Sequence, residues 1–311
     1  MKKFLVRLLI FMVLLTICAS VTDLFISWRL RNNDNRLWSG WNQVYDDTTH
    51  YDLVILGASE VWTGYNPAII DSILNIKSFD CAFDGSGINR QILKYHKFVE
   101  LHGQPDVVVM SVDMGFLGQT YGYEREQFFP YFIFDRDLVA EADKYEDFSW
   151  AEKYVPCYRY LGYYDVILEA LVEDNMQHFY ERLYNGFCAR DCQWNGSELA
   201  LLDSTYFDLS DSISLTQLRD FLRAQKNNGT KVVLVFTPIY YGAIEKCTNL
   251  KDAYQLYDAI AKEYNTEILH YYENSICQDT MMFYNATHLN REGSTQFSKQ
   301  FAKDVDSLLY K

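Results

Sequence analysis

Positive charge is scarce in this chain outside its first thirty-one residues. Residues 1–31 hold five basic side chains and one acidic one, a net of +4, so the −14 of the whole 311-residue chain leaves −18 for the remainder. A body of that sign repels phosphate backbones, and no basic stripe interrupts it, which excludes nucleic acid as a partner. It also argues against tight binding of the body to anionic lipid heads. Prolines number five, and no internal repeat or low-complexity tract is present, so neither a linker-like chain nor a repeat array is indicated. Close pairs of metal-ligating residues are lacking too. Cys188 and Cys192 stand four apart with no second Cys or His pair to complete a zinc set. They suit a local disulfide, or bonds to Cys81, Cys157, Cys247 or Cys277, with Cys81 equally readable as a buried thiol.

What is present begins with a leader. Lys2, Lys3 and Arg7 precede the apolar run Leu8–Leu15 and the stretch Thr16–Val21, the pattern of a signal anchor or a secretory signal peptide. Taken as Phe4–Trp28 the segment reaches bilayer length, with Arg7 and Asp23 near its ends. Cleavage after Ala19 or Ser20 remains open, as does a buried helix. Residues 1–31 are therefore read as an anchor or signal, and the lipid bilayer as the partner of residues 4–28.

Residues 50–311 alternate strand and helix patterns. Short apolar runs at 52–56, 77–83, 106–112, 231–236 and 266–271 read as five buried strands. Helical patterns separate them at 67–74, with Pro67 in the first turn, at 88–101, at 215–228 capped by Ser214, and at 250–264. A closing helix spans 291–309. This order predicts an α/β three-layer sandwich around a mostly parallel five-stranded sheet. The rhythm lapses over 114–212, too long for a crossover, which reads as an inserted helical and aromatic cap. Its aromatics Phe128, Phe129, Tyr131, Phe132 and Phe134 either pack the insertion or line a ligand groove, and helices are expected around 158–183.

Two polar segments carry chemistry. The first strand runs into Gly57-Ala58-Ser59, placing a serine at the carboxyl end of a core strand, where open parallel sheets bind ligands. Far away, Tyr284-Asn285-Ala286-Thr287-His288-Leu289-Asn290 precedes the last helix. A serine hydroxyl needs a base to become a nucleophile, and imidazole titrates near neutral pH, so Ser59 and His288 form the candidate pair. The backbone N–H of Ser59, at a helical turn, suits a developing oxyanion. His50 is a weaker candidate, as are His96 and His102 in a helix and at its end, His270 in a strand and His178 in the insertion. Glu60 is either a solvated first-turn residue or a contact for a cationic substrate group.

These two segments resemble the motifs of the SGNH or GDSL hydrolase superfamily, and more closely its membrane-anchored branch of cell-surface acyl esterases and acyltransferases, which includes teichoic-acid D-alanylation factors. The resemblance covers about residues 50–310 apart from the insertion. It implies that Ser59 is the nucleophile, that Gly85 or Gly87 donates an N–H to the oxyanion hole, and that Asn285 holds the position of the aspartate that orients His288. Asn285 departs from the family pattern. So does Ser111-Val112-Asp113, which occupies the region of a Gly-x-Asn oxyanion element; Asp113 there would oppose the oxyanion, replace the missing acid, or cap the next turn. The implied activity is extracytoplasmic hydrolysis or transfer of an O-linked acyl group on cell-envelope carbohydrate or a small ester, without cofactor or metal. Transfer would involve a membrane acyl-donor protein. The competing expectation is an inactive carbohydrate-binding or assembly subunit with the same fold.

Overall fold

The computed structural model describes residues 1–33, 36–46, 48–118, 124–172, 184–197, 199 and 204–309. The chain divides into two compact units, residues 43–120 with 179–311, and residues 1–42 with 121–178.

The larger unit is built on five strands: β1 (Leu53–Leu56), β2 (Ser78–Asp80), β3 (Val107–Ser111), β4 (Lys231–Phe236) and β5 (Glu267–His270). All neighbours pair in parallel in the order β2-β1-β3-β4-β5. β1 and β3 are buried at every position, which explains why they read as continuous Val, Ile and Leu runs rather than alternating ones. The helices Pro67–Leu74 and Arg291–Leu309 pack on one another, while Ile88–His102 packs on Ser212–Asn228, which also meets Leu250–Tyr264. With right-handed crossovers, reversal of strand order after β2 sends these two groups to opposite faces. The result is the three-layer, SGNH-hydrolase-like α/β sandwich expected from the sequence, carrying a helical and aromatic insertion. The reversal also creates a switch point between β1 and β3, and ligand crevices form outside the carboxyl ends of strands at such points. Ser59 follows β1 there.

Local chemistry moved several boundaries. The strand expected over 77–83 ends at Asp80, whose Oδ1 accepts from the Ala82 N–H at 2.9 Å and turns the chain. Its exposed edge is covered by a tight turn between Tyr184 and Phe187. Asn185 and Gly186 both have positive φ, as a type I′ turn requires, and the Asn185 carbonyl accepts from the Asp80 N–H at 2.8 Å. Only glycine fits at 186, because a Cβ there would stand 1.7 Å from the Asp80 carbonyl oxygen. The helix expected to be capped by Ser214 begins at Ser212. Asp211 caps it, accepting from the Ile213 and Ser214 N–H groups.

The smaller unit contains the N-terminal helix Lys2–Arg31, long and apolar enough to cross a membrane. Within this unit Phe128, Phe129, Tyr131 and Phe132 are buried, with Trp41, Phe148 and Tyr160 against them. These four aromatics therefore pack the insertion rather than line a groove. Of the helical span expected over 158–183, Tyr158–Tyr160 is a single 3₁₀ turn, residues 161–163 are a non-helical turn and Tyr164–Val172 is helical; residues 173–183, including His178, lie outside the described residues. All seven cysteines are free, and Cys188 and Cys192 are not joined.

Candidate active site

The turn after β1 is shaped by Gly57. A Cβ at this position would lie 2.2 Å from Val61 Cγ2 and 3.2 Å from Ser111 Cβ, so the chain can fold back only without a side chain. Ser59 then opens a single helical turn, Ser59–Trp62, behind Ala58 in extended conformation. As the first residue of that turn its N–H has no intrahelical acceptor. The loop 84–87 is tied to the same turn by Ser86, whose hydroxyl donates to the Gly57 carbonyl at 2.9 Å. Gly85 and Gly87 thus flank a residue bonded to the serine-bearing turn, and Gly87 is the N-cap of the helix Ile88–His102.

His288 reaches Ser59 across 229 residues of sequence. Its Nε2 lies 2.7 Å from Ser59 Oγ. The other ring nitrogen, Nδ1, is 2.8 Å from Asn285 Oδ1 and 2.9 Å from Thr287 Oγ1. Asn285 Oδ1 also accepts from the backbone N–H groups of Thr287 and His288, each at 3.0 Å. Those two donors decide which way the amide points, since only its oxygen can accept from them. With an acceptor facing Nδ1, the ring carries its proton there and leaves the Nε2 lone pair toward the serine hydroxyl. Asparagine therefore preserves the tautomer that an aspartate would impose, and what it lacks is the negative charge.

The ring's surroundings set its basicity. Burial drives the His288 pKa below the ordinary value of 6.5, opposed by Glu60 and Asp84 and reinforced by Arg190. The neutral, proton-accepting form consequently prevails at neutral pH. Tyr284 stacks on the imidazole with centroids 5.2 Å apart and planes 28° apart. The Arg190 guanidinium in turn lies 5.3 Å from the Tyr284 ring centroid and 5.8 Å from that of Trp62.

Asp113 takes the capping geometry. It is buried, and its Oδ1 accepts from the Gly115 N–H at 3.0 Å. Burial, with the charge of Glu60 nearby, raises its pKa well above the usual carboxylate range. Among the described residues its buried Oδ2 has no hydrogen-bond partner. A carboxyl whose pKa is raised by burial is biased toward its uncharged form, which lessens the charge it sets against an oxyanion. It does not replace the missing acid at His288, whose Nδ1 is already engaged by Asn285 and Thr287. Glu60 is half-buried in the serine turn, close enough to bias both Asp113 and His288. The weaker histidines serve elsewhere: His102 sits between the Thr49 and Val44 carbonyls, and His270 pairs with Asp258. Among the described residues no group of three or more His, Cys, Asp or Glu side chains is arranged to hold a metal ion.

Arg190 and Asp84 escaped the sequence reading as site residues. Arg190 arrives through docking of the segment after the 184–187 turn. The Cys188 N–H donates to the Trp62 carbonyl at 2.9 Å, the Arg291 N–H donates to the Arg190 carbonyl at 2.8 Å, and Arg291 forms a two-pronged pair with Asp191 at 2.5 and 3.2 Å. No periodicity or motif announces such a strap.

No family model matches the chain, and no curated protein matches it. Among solved structures it is similar to one from Desulfitobacterium hafniense DCB-2 described as a lipolytic protein of the G-D-S-L family. The two share 12% sequence identity with a TM-score of 0.39, over 81% of this chain and 97% of that one.

Proposed function

We propose that this chain is an SGNH-superfamily serine esterase or O-acyltransferase of the membrane-anchored cell-surface branch, acting outside the cytoplasm on acyl groups of cell-envelope carbohydrate. The observation that carries the reading is the relay from Asn285 Oδ1 through both nitrogens of His288 to Ser59 Oγ, at 2.8 and 2.7 Å. Ser59 attacks the acyl carbonyl as His288 Nε2 takes its proton. N–H groups of Ser59 and of Gly85 or Gly87 hold the oxyanion. The tetrahedral intermediate collapses, and His288 returns the proton to the departing sugar oxygen, leaving an acyl-Ser59 ester. Water or a second hydroxyl, deprotonated by His288, then attacks that ester and releases Ser59 with its proton restored. A water acceptor makes the protein an esterase; a carbohydrate hydroxyl, with acyl groups supplied by a membrane donor, makes it a transferase.

Incubation of the full chain in detergent with a fluorophosphonate probe and with short acyl esters tests the reading. Labelling and turnover that vanish in Ser59→Ala support it. A folded parent that neither labels nor turns over ester rejects it in favour of an inactive carbohydrate-binding or assembly subunit, the role that the uncharged Asn285 would suit.

A further inference from the structure

The unit formed by residues 1–42 and 121–178 holds two features that the Ser59 site leaves unexplained. The first is a ladder of polar ties between the insertion and the far end of the N-terminal helix. Cys157 Sγ donates to the Ala19 carbonyl at 3.3 Å, and Arg159 pairs with Asp23 at 2.5 Å. The Ser27 and Tyr160 hydroxyls meet at 2.7 Å, and Arg29 donates to the Leu171 carbonyl at 3.1 Å. The second feature is a run of apolar and aromatic side chains exposed on this same insertion. Trp150 is 70% exposed, and Tyr154, Val155, Tyr158 and Leu161 are exposed as well. On the helix Tyr164–Val172, the residues Tyr164, Leu168 and Val172 recur every fourth position and are 63%, 63% and 71% exposed, whereas Ile167 is buried. An amphipathic helix beside water shows polar residues on its outer face, and contiguous exposed apolar surface marks a binding surface.

The ladder identifies what covers this surface. About 20 residues at about 1.5 Å rise fill a hydrocarbon layer of ~30 Å, so a span starting at Phe4 reaches its far boundary near Asp23. Starting at Leu8, with Arg7 among the headgroups, moves that boundary to about Ser27. In either setting the Ala19 carbonyl lies roughly 6 Å or more inside the boundary. A chain bonded to that carbonyl through Cys157 sits at the level of the acyl chains and headgroups. The Asp23–Arg159 pair then places two compensating charges near the boundary, where an unpaired Asp23 would be costly.

We propose that residues 150–172 of the insertion form a second membrane contact, an interfacial patch whose Trp, Tyr and aliphatic side chains rest in the headgroup–acyl boundary of the bilayer that the N-terminal helix crosses. The patch rests on the reading of that helix as a membrane span. It follows the pattern of aromatic belts and of helices lying in the interface.

The test uses the full chain reconstituted into phosphatidylcholine vesicles, with acyl chains either plain or brominated near the headgroup end. The emission lost on Trp150→Phe isolates the contribution of Trp150. Brominated lipid is expected to remove roughly half or more of that contribution. A Leu168→Trp replacement in the Trp150→Phe chain provides an independent reporter with the same expectation. Equal emission of both reporters in the two lipids overturns the patch. Flotation of the vesicles separates the two readings: protein that floats with unquenched reporters refutes the patch and leaves the anchor standing, while protein that stays behind refutes both.

Discussion

Replacing Asn285 by aspartate asks how much of the proposed Ser59–His288 chemistry depends on a carboxylate. In a serine-protease triad the reverse exchange costs about 10⁴ in rate, largely because the amide selects the wrong imidazole tautomer. That cause is missing here. The Thr287 and His288 N–H groups hold Asn285 Oδ1, at 3.0 Å each, so that oxygen faces His288 Nδ1 at 2.8 Å. What remains is the difference between a neutral and a charge-assisted hydrogen bond to the imidazolium formed in the transition state. That difference is about 1–1.5 kcal/mol, equivalent to about tenfold in kcat/KM. Asn285→Asp is therefore expected to hydrolyse short p-nitrophenyl esters about ten times faster than the parent, with the acidic limb of its pH profile moved upward by the new charge. A gain of a thousandfold or more would show that the parent ring is held in the wrong tautomer. No gain, with the limb displaced, would show that His288 bears no charge at the rate-limiting step.

Three further outcomes follow from the structure. Because burial lowers the His288 pKa below 6.5, kcat/KM is expected to be level around neutrality and to fall only on a limb centred below 6.5; a limb centred above that value contradicts the assignment. The same sign means that the stability contributed by His288 is lost as pH falls below 6.5, since the unfolded chain binds that proton more readily. Asp113 behaves oppositely: its raised pKa makes the folded chain hold a proton that the unfolded chain releases, so its contribution declines as pH rises above about 4. Asp113→Asn should gain thermal stability relative to the parent with increasing pH, and a difference that does not vary with pH refutes this. Gly186→Ala places a methyl group 1.7 Å from the Asp80 carbonyl oxygen at a φ of +87°. The left-handed backbone alone costs about 1–2 kcal/mol, and the clash adds to it, so denaturant unfolding at an unchanged midpoint would refute the turn geometry.

The sheet was legible because burial on both faces selects uninterrupted Val, Ile and Leu runs, and β4 at Lys231–Phe236 falls where its sequence pattern does. The helices Pro67–Leu74, Leu250–Tyr264 and Arg291–Leu309 were equally legible from amphipathic spacing and from signals such as Pro67. Boundaries set by side-chain competition were less so. Asp211 rather than Ser214 captured the N-terminus of its helix because its carboxylate could accept from two N–H groups. Asp80 ended β2 early by bonding to Ala82. Ser59 and His288 were readable as candidates because each flanks a recognisable element.

The sequence alone determined the α/β order, the serine at the end of β1, the late histidine and an apolar leader, since each is a property of local composition and spacing. Only the tertiary structure decided that Ser59 and His288 meet, that the Asn285 oxygen rather than its nitrogen faces the ring, and that Arg190 joins the site. It also decided that Asp113 turns inward as a buried cap. Those outcomes depend on which backbone groups converge after the sheet closes, and on how far burial penalises charge, neither of which is encoded at any single stretch of the chain.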